Sequence, residues 1–458
     1  MQEEIRKTAD EILSLVGEGK LSSLRPLVSE MNPADLAEIM EELKENELPL
    51  FYRILPKELA SEVFSYMEPD LQELLIRSFS DRELAAVIKD MYLDDTVDMI
   101  EEMPASVVVR ILQNTDPAAR KQINELLQYP QDSAGSLMTL EYVSLREDMT
   151  VEEAFARIRR EGVDKETVYT CYVTNRRRLV GIVTVKDLLL ADYETKVSEI
   201  MTDSDSVISV GAYEDRDAVV QAFSKYDLMA LPVVDKEDRI LGIVTVDDAV
   251  DVMEEEATED IEKMAAIIPT DKSYFKTGIF ETFRKRFPWL MLLMVSATFT
   301  GGIITSFEGA LGKFPVLVAF IPMLMGTGGN AGGQASVTII RGLALGEIEM
   351  RQVLRVIWKE LRVALVCGVA LAIAGFLKII LIDNLIMGTG VSMLESVTVC
   401  ITMLLTVIVS KIFGGLLPVV AKRMGFDPAV MASPFITTLV DAISLLIYFT
   451  VASLILPM

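Results

Sequence analysis

The sequence predicts a multidomain membrane protein: an all-α superhelical N-terminal domain, an α/β tandem repeat pair, an acidic connecting helix and a five-helix transmembrane domain. Three observations lead there. The 458 residues are 51% hydrophobic with a mean hydropathy of +0.36, which a soluble protein of this size rarely reaches. The charge is lopsided, because residues 273–458 hold 14 basic and 9 acidic side chains, net +5, while residues 1–272 hold 29 and 59, net -30. A chain mostly buried in lipid does not carry the overall charge of -25. Finally, GIVTVKD at 181–187 returns as GIVTVDD at 242–248, an internal repeat.

Residues 1–128 read as the helical domain. Amphipathic stretches such as DLAEIMEEL, KELASEVFSYM, RELAAVIKDM and DDTVDMIEEM recur about every 20 to 25 residues between Pro, Asp or Asn turns, as in stacked helical hairpins. Asp94 and Asp98, four residues apart, share one helix face. The negative field of this half repels phosphates and attracts cations, so no nucleic acid partner is expected; a surface kept soluble by surplus acid is the other reading. Histidine is absent, so a His-based triad and a His-ligated zinc site are excluded, and Cys171, Cys367 and Cys400 are too far apart in sequence for soft-metal chemistry to be expected. The start, MQEEIRKTADEILSLV, has no apolar signal core, and the first half is expected to stay cytoplasmic.

Residues 129–248 form the repeat pair. CYVTNRRRLV and LPVVDKEDRIL precede the two GIVTV motifs, and a Met-Thr dipeptide opens each copy at 138 and 201. Each copy reads as helix, strand, turn, strand, helix, and its apolar strands are best buried against the other copy. The pair resembles tandem cystathionine-β-synthase-type (CBS) domains, which regulate rather than catalyse and commonly bind adenine nucleotides between the copies. That resemblance implies nucleotide-binding places for Tyr169, Lys186 and Asp187, with ATP as a regulator; Tyr169 as a core residue is the alternative.

The connector, residues 249–272, continues an acidic run from 246 to 266 whose only base is Lys263. Asp248, Asp251, Glu255 and Glu259 track one helix face, with Glu256 and Asp260 beside them, and like charges at this spacing destabilise a free helix. Asp94, Asp98, Asp215, Asp217 and Asp227 add acid from the preceding domains. Divalent cations bound at domain seams would neutralise both sets; a solvated, frayed linker would also fit.

From Pro288 onward, apolar runs at 288–306, 314–340, 363–382, 396–420 and 428–457 are each long enough to cross a bilayer, which takes about 20 residues. Arg284 to Arg286, then Arg341, Arg351, Arg355 and Lys359, then Lys422 and Arg423 mark one side. The amino terminus is therefore expected in the cytoplasm and the carboxyl terminus outside. Three features are costly in lipid. The second run carries GTGGNAGGQAS, with Asn330 and Gln334 on one face, readable as close helix packing or as a polar lining. In the fifth run Ser433, Thr437 and Asp441 fall on one face, and Asp441 lies roughly 20 Å along the helix from Pro428. Lys411 in the fourth run is either its ion-pair partner or a bystander to an ion pathway. Hydroxyl, amide and a hard carboxylate without thiol or imidazole suit Mg2+ or Ca2+, and Mg2+ needs the fewest carboxylates because it keeps its waters.

The order of parts, with PMLMGTGGNAGGQAS and DPAVMASPFITTLVDAISLLIYF, resembles the MgtE family of magnesium channels and transporters over essentially the whole chain. The resemblance implies a homodimer in the cytoplasmic (inner) membrane, with membrane lipid around it and a pore between subunits. It places hydrated Mg2+ at Asp441, with Ser433, Thr437 and Asn330 lining the path. Asp248, Asp251, Glu256, Glu259 and Asp260 would sense cytoplasmic Mg2+ and close the connector as a plug. Ser433 stands where some members have Asn, and Ser444 where Gly is frequent. An ion-coupled or broader divalent transporter and a non-conducting sensor share these residues. No GxxxxGK[ST] occurs, and no second acid is expected at the depth of Asp441, so no catalysis is expected.

Overall fold

A computed structural model describes residues 2–18, 20, 23–270, 274, 277–431 and 433–457. It falls into two compact units, residues 1–252 and 253–458.

The first unit begins with α1 (Gln2–Gly17), α2 (Arg25–Val28), α3 (Pro33–Glu41), α4 (Leu48–Tyr52), α5 (Lys57–Ser65), α6 (Pro69–Ser78), α7 (Asp81–Asp90), α8 (Leu93–Glu102), α9 (Ala105–Asn114) and α10 (Pro117–Leu126). From α5 to α10 a new helix starts every 12 residues. This corrects the 20 to 25 residue spacing, which caught mainly alternate helices. The missed ones, LPLFY and PDLQELLIRS, open on Leu-Pro or Pro-Asp, and Pro at the first helical turn starts a helix without needing an N–H partner. Elsewhere side chains close the ends. Asn32 and Asp116 accept from Ala34 N–H and Ala118 N–H at 2.9 Å, and Ser80 with Glu83 forms a capping box. Alternate helices stack, α3 on α5 on α7 on α9 and α4 on α6, and bury Leu36, Met40, Phe51, Phe64, Leu75 and Ile76.

The tandem pair follows as β1 (Tyr142–Leu145), α11 (Val151–Glu161), β2 (Thr167–Asn175), β3 (Arg178–Thr184), α12 (Val185–Leu190), α13 (Val197–Ile200) and β4 (Thr202–Asp203). The second copy gives β5 (Val210–Gly211), α14 (Arg216–Tyr226), β6 (Ala230–Val234), β7 (Ile240–Thr245) and α15 (Val246–Met264). Each sheet pairs its first two strands in parallel and the next two antiparallel, as β1-β2-β3-β4 and β5-β6-β7. Tyr172 and Leu179 of one copy share a core with Ala230, Ile240 and Ile243 of the other, which is why neither sheet stands alone.

The repeated motifs have local causes. In TVKD and TVDD the Thr ends a strand and the Asp three residues on reaches back to it. Thr184 Oγ1 donates to Asp187 Oδ2 at 2.5 Å, and Thr245 Oγ1 to Asp248 Oδ2 at 2.6 Å. The glycines before them sit against the Met-Thr dipeptide of the other copy's opening. A Cβ on Gly242 would come within 2.5 Å of the Thr139 carbonyl, and one on Gly181 within 2.6 Å of that of Thr202. The dipeptides therefore stitch the copies together.

The second unit contains five helical segments long and apolar enough to cross a membrane: Ile279–Ser306, Pro315–Ala344, Met350–Ile386, Met393–Arg423 and Pro428–Ile455. Their α-helical parts are α16 (Ile279–Ser306), then α17 (Glu308–Lys313), α18 (Ile321–Ala344), α19 (Val353–Lys378), α20 (Met393–Arg423) and α21 (Ser433–Ile455). They overrun the apolar runs at their ends, because polar helix formers extend a helix beyond the lipid-facing stretch. Lys378 and Asp383 thus lie on α19 and its π-helical continuation, paired at 2.8 Å. Glu360 is likewise helical and buried, against Gly415 of α20. So the third helical segment carries a buried acid just ahead of its apolar run.

Candidate ion pathway and acidic cluster

Helices α18, α20 and α21 pack together, and the glycines of GTGGNAGGQAS are what lets them approach. A Cβ on Gly329 would fall 2.8 Å from Thr437 Cγ2, and one on Gly332 would fall 2.9 Å from Ile436 Cγ2 and 3.2 Å from the Ser410 carbonyl. The packing reading of these glycines therefore holds. Asn330 and Gln334 lie on the opposite, exposed face of α18. Within one chain Asn330 is not brought to Asp441.

Thr437 and Asp441 follow one another on α21 at one-turn spacing. Asp441 is half-buried, and its Oδ1 is enclosed without a hydrogen-bond partner among the described residues. An enclosed carboxylate oxygen left so costs at least about 1–3 kcal/mol, so the site favours a cation or water. Lys411 is buried on α20, and no ion pair joins it to Asp441 among the described residues. The ion-pair alternative for Asp441 is thus not what the chain adopts. The side chain of Ser433 lies outside the described residues.

In the first unit Asp94, Asp95 and Asp98 of α8 stand near Asp247 and Asp248 at the start of α15, and near Glu141 and Glu166, whose backbones are joined by a 3.0 Å hydrogen bond. Burial, then like charge from neighbours, pushes Asp94 and Asp248 up to about 7, Asp98 up to about 8 and Glu166 up to about 9. Burial and the charges of Asp248 and Asp247 push Asp95 up to about 6. Yet no three carboxylates among the described residues converge closely enough to hold an ion as they stand. The group is assembled by charge but still splayed in geometry.

The remaining acids have local work. Asp215 caps α14 by accepting from Asp217 N–H at 3.0 Å, and Asp227 closes the same helix in the left-handed conformation at φ 51°. Asp251, Glu256, Glu259 and Asp260 lie along α15. There Lys263 Nζ reaches Glu259 Oε1 and Asp427 Oδ2, both at 2.6 Å, and Met264 packs on Ile340 and Ala429. Part of the acid in the connector is therefore neutralised by the chain's own lysine. Among the nucleotide candidates, Lys186 is exposed, Asp187 is held by its Thr184 cap, and the Tyr169 ring is 69% exposed, which overturns its reading as core.

Comparison with known proteins gives a divalent cation transporter (MgtE) model matching residues 321–451, the MgtE intracellular N domain matching 31–132, and CBS domains matching 134–194 and 197–255. The chain is 36% identical to the magnesium transporter MgtE of Thermus thermophilus, over 100% of this chain and 99% of that one. The chain belongs to the MgtE family. The MgtE of Bacillus subtilis is 32% identical over 96% of both chains. A solved cytosolic domain of the Mg2+ channel MgtE in complex with ATP is 37% identical, with a TM-score of 0.51, and matches 53% of this chain and 99% of that one. The soluble part of a magnesium transporter is similar at 28% identity and the same TM-score, covering 55% of this chain and 99% of its own. The curated MgtE relatives are named as transporters, not as enzymes.

In this MgtE chain the residues missed in the sequence are of two kinds. Asp95, Glu141 and Glu166 join the acidic group through tertiary folding, and no spacing announces them. Thr398, Thr402, Thr406 and Ser410 form a buried hydroxyl row along α20 at four-residue spacing, and that signal was present in TVCITMLLTVIVS.

Proposed function

We propose that this chain, as a homodimer in the cytoplasmic membrane, conducts Mg2+ into the cell down its electrochemical gradient and closes when cytoplasmic Mg2+ is high. Magnesium transport is what family membership supports. The observation that carries the pathway is the enclosed, unpartnered Oδ1 of Asp441 on a spanning helix, beside Thr437 and without a lysine partner. Mg2+ there keeps most of its waters, and the carboxylate accepts hydrogen bonds from them. The amino terminus lies in the cytoplasm and the carboxyl terminus outside.

For gating, Asp94, Asp98 and Asp248, with Asp251, Glu256, Glu259 and Asp260 on the connector and Asp215, Asp217 and Asp227 at the ends of α14, bind Mg2+ that removes their mutual repulsion. The resulting compact state presses the connector on the pore mouth. ATP at Tyr169, Lys186 and Asp187 biases the same equilibrium; the exposed tyrosine ring is free to stack on a base, and the lysine to meet phosphate. Asp441→Asn keeps the side chain's shape and removes its charge. Mg2+ flux into proteoliposomes should fall at least about 100-fold with the melting temperature unchanged. Wild-type flux in that variant would refute the pathway.

A further inference from the structure

Three hydroxyls of α21 bond within their own helix. Thr438, Thr450 and Ser453 donate to the carbonyls of Pro434, Leu446 and Thr450, at 3.0, 2.6 and 2.8 Å. Tyr448 does otherwise. Its hydroxyl crosses to the short 3-10 helix Pro315–Phe320, which leads into α18, and donates to the Leu317 carbonyl at 3.0 Å. Both residues are fully buried, at 0% exposure. A buried phenol needs such a partner, since an unmet hydroxyl costs desolvation.

The bond has firm surroundings. Leu317, Phe320, Leu324, Leu445, Tyr448 and Phe449 share one buried core, and Phe449 stacks on Phe307, just beyond α16, with ring centres 4.6 Å apart. Earlier along α21 the contacts are of another kind. Ile436 Cγ2 and Val440 Cγ1 lie against the bare backbone of α18, 2.9 and 3.1 Å from where a Cβ on Gly332 or Gly328 would stand. Methyl contacts have no direction, so they fix the distance between helices better than the rotation of either.

Asp441 and Tyr448 are seven residues apart on α21, which puts them about 10.5 Å apart along the axis and only about 20° apart around it. Over two turns a helix rotates as one body, so whatever fixes the direction of Tyr448 fixes that of Asp441. We infer that Tyr448 is a positioning residue for the ion pathway: by anchoring α21 to the entry of α18 through its hydroxyl, it sets the direction in which Asp441 presents its carboxylate. The inference rests on the pathway reading of Asp441.

The test uses full-length protein in proteoliposomes and reads Mg2+ influx against concentration, together with thermal melting. Tyr448→Phe keeps the ring and its packing and removes only the hydroxyl. It should raise the Mg2+ concentration for half-maximal influx about fivefold, the effect of losing one directional contact. Gly368→Ala, whose Cβ would crowd Leu404 Cδ1 at 2.8 Å where α19 meets α20, lowers the melting temperature away from α21 and should leave half-saturation unchanged. The second readout is the rate at which a cationic methanethiosulfonate modifies Asp441→Cys in a chain whose Cys171, Cys367 and Cys400 are replaced by alanine. Adding Tyr448→Phe should change that rate at least about threefold, and adding Gly368→Ala should not. Either value unchanged in Tyr448→Phe, while Asp441→Asn is inactive, overturns this inference and leaves the pathway standing. Equal shifts in Gly368→Ala also overturn it, because the bond then acts only through stability. Wild-type influx in Asp441→Asn overturns both.

Discussion

Replacing Asp94 and Asp248 together by asparagine should stabilise residues 1–252 at alkaline pH and remove the response of that unit to Mg2+. Burial, with repulsion among the acids, raises both carboxyls from 3.8 to about 7. A carboxyl raised in the folded state is more protonated folded than unfolded between those values. Its contribution is therefore fully present below about pH 4 and is lost as pH rises through 7. A shift of about three units, at 1.36 kcal/mol each, makes one such site worth about 4 kcal/mol. Because the two repel each other, removing both relieves less than twice that. In metal-free buffer near pH 8 the double variant should gain several kcal/mol. Wild type should instead gain from Mg2+, about 2.7 kcal/mol at 100 times its dissociation constant, and much less near pH 5.5, where protons hold the same oxygens. Pulse proteolysis of the full-length protein in detergent, with cuts mapped within 1–252, measures this. Equal Mg2+ protection at both pH values, or full protection in the double variant, would refute the argument.

Three further outcomes follow from particular contacts. Lys263→Glu places a third acid beside Glu259 and Asp427, and should raise channel open probability at high internal Mg2+; adding Asp427→Lys should restore closure in patch recordings. Gly414→Val would drive a side chain into the Gly332 carbonyl across the α18 and α20 contact, costing about 1–3 kcal/mol and visibly lowering the melting temperature of the membrane unit. Tyr169→Ala should weaken ATP binding about tenfold by calorimetry without changing stability, because its ring is exposed.

Wherever local chemistry sets the structure, the sequence was enough to read it. The five spans and the repeat rest on periodicity, length and charge within a single element. What stayed hidden depends on partners distant in the chain. The Met-Thr dipeptides appeared to head their own copies, yet Met138 and Thr139 pack on Gly242 of the other. Whether Lys411 meets Asp441 depends on the direction each side chain takes around its helix, which position along the chain does not give. Lys263 is only one base in an acidic run until folding brings Asp427, 164 residues away, to 2.6 Å.

One cation can serve as both cargo and signal only if the two kinds of site hold it differently. At Asp441 a single carboxylate stands one turn from Thr437, and its Oδ1 has no hydrogen-bond partner among the described residues. On the proposed pathway, such a site lowers the cost of entry without trapping the ion, which conduction requires. Around Asp94, Asp98 and Asp248 the arrangement is reversed, since several carboxyls are buried against each other at a cost evident in their raised pKa values. A divalent ion drawn in there gains from every repulsion it cancels, and it binds the state in which the acids are close far better than the state in which they are apart. That differential affinity is what a gate needs. In the proposed gate, this places the negative charge in residues 1–272, where water can screen the open state, and not in the spans.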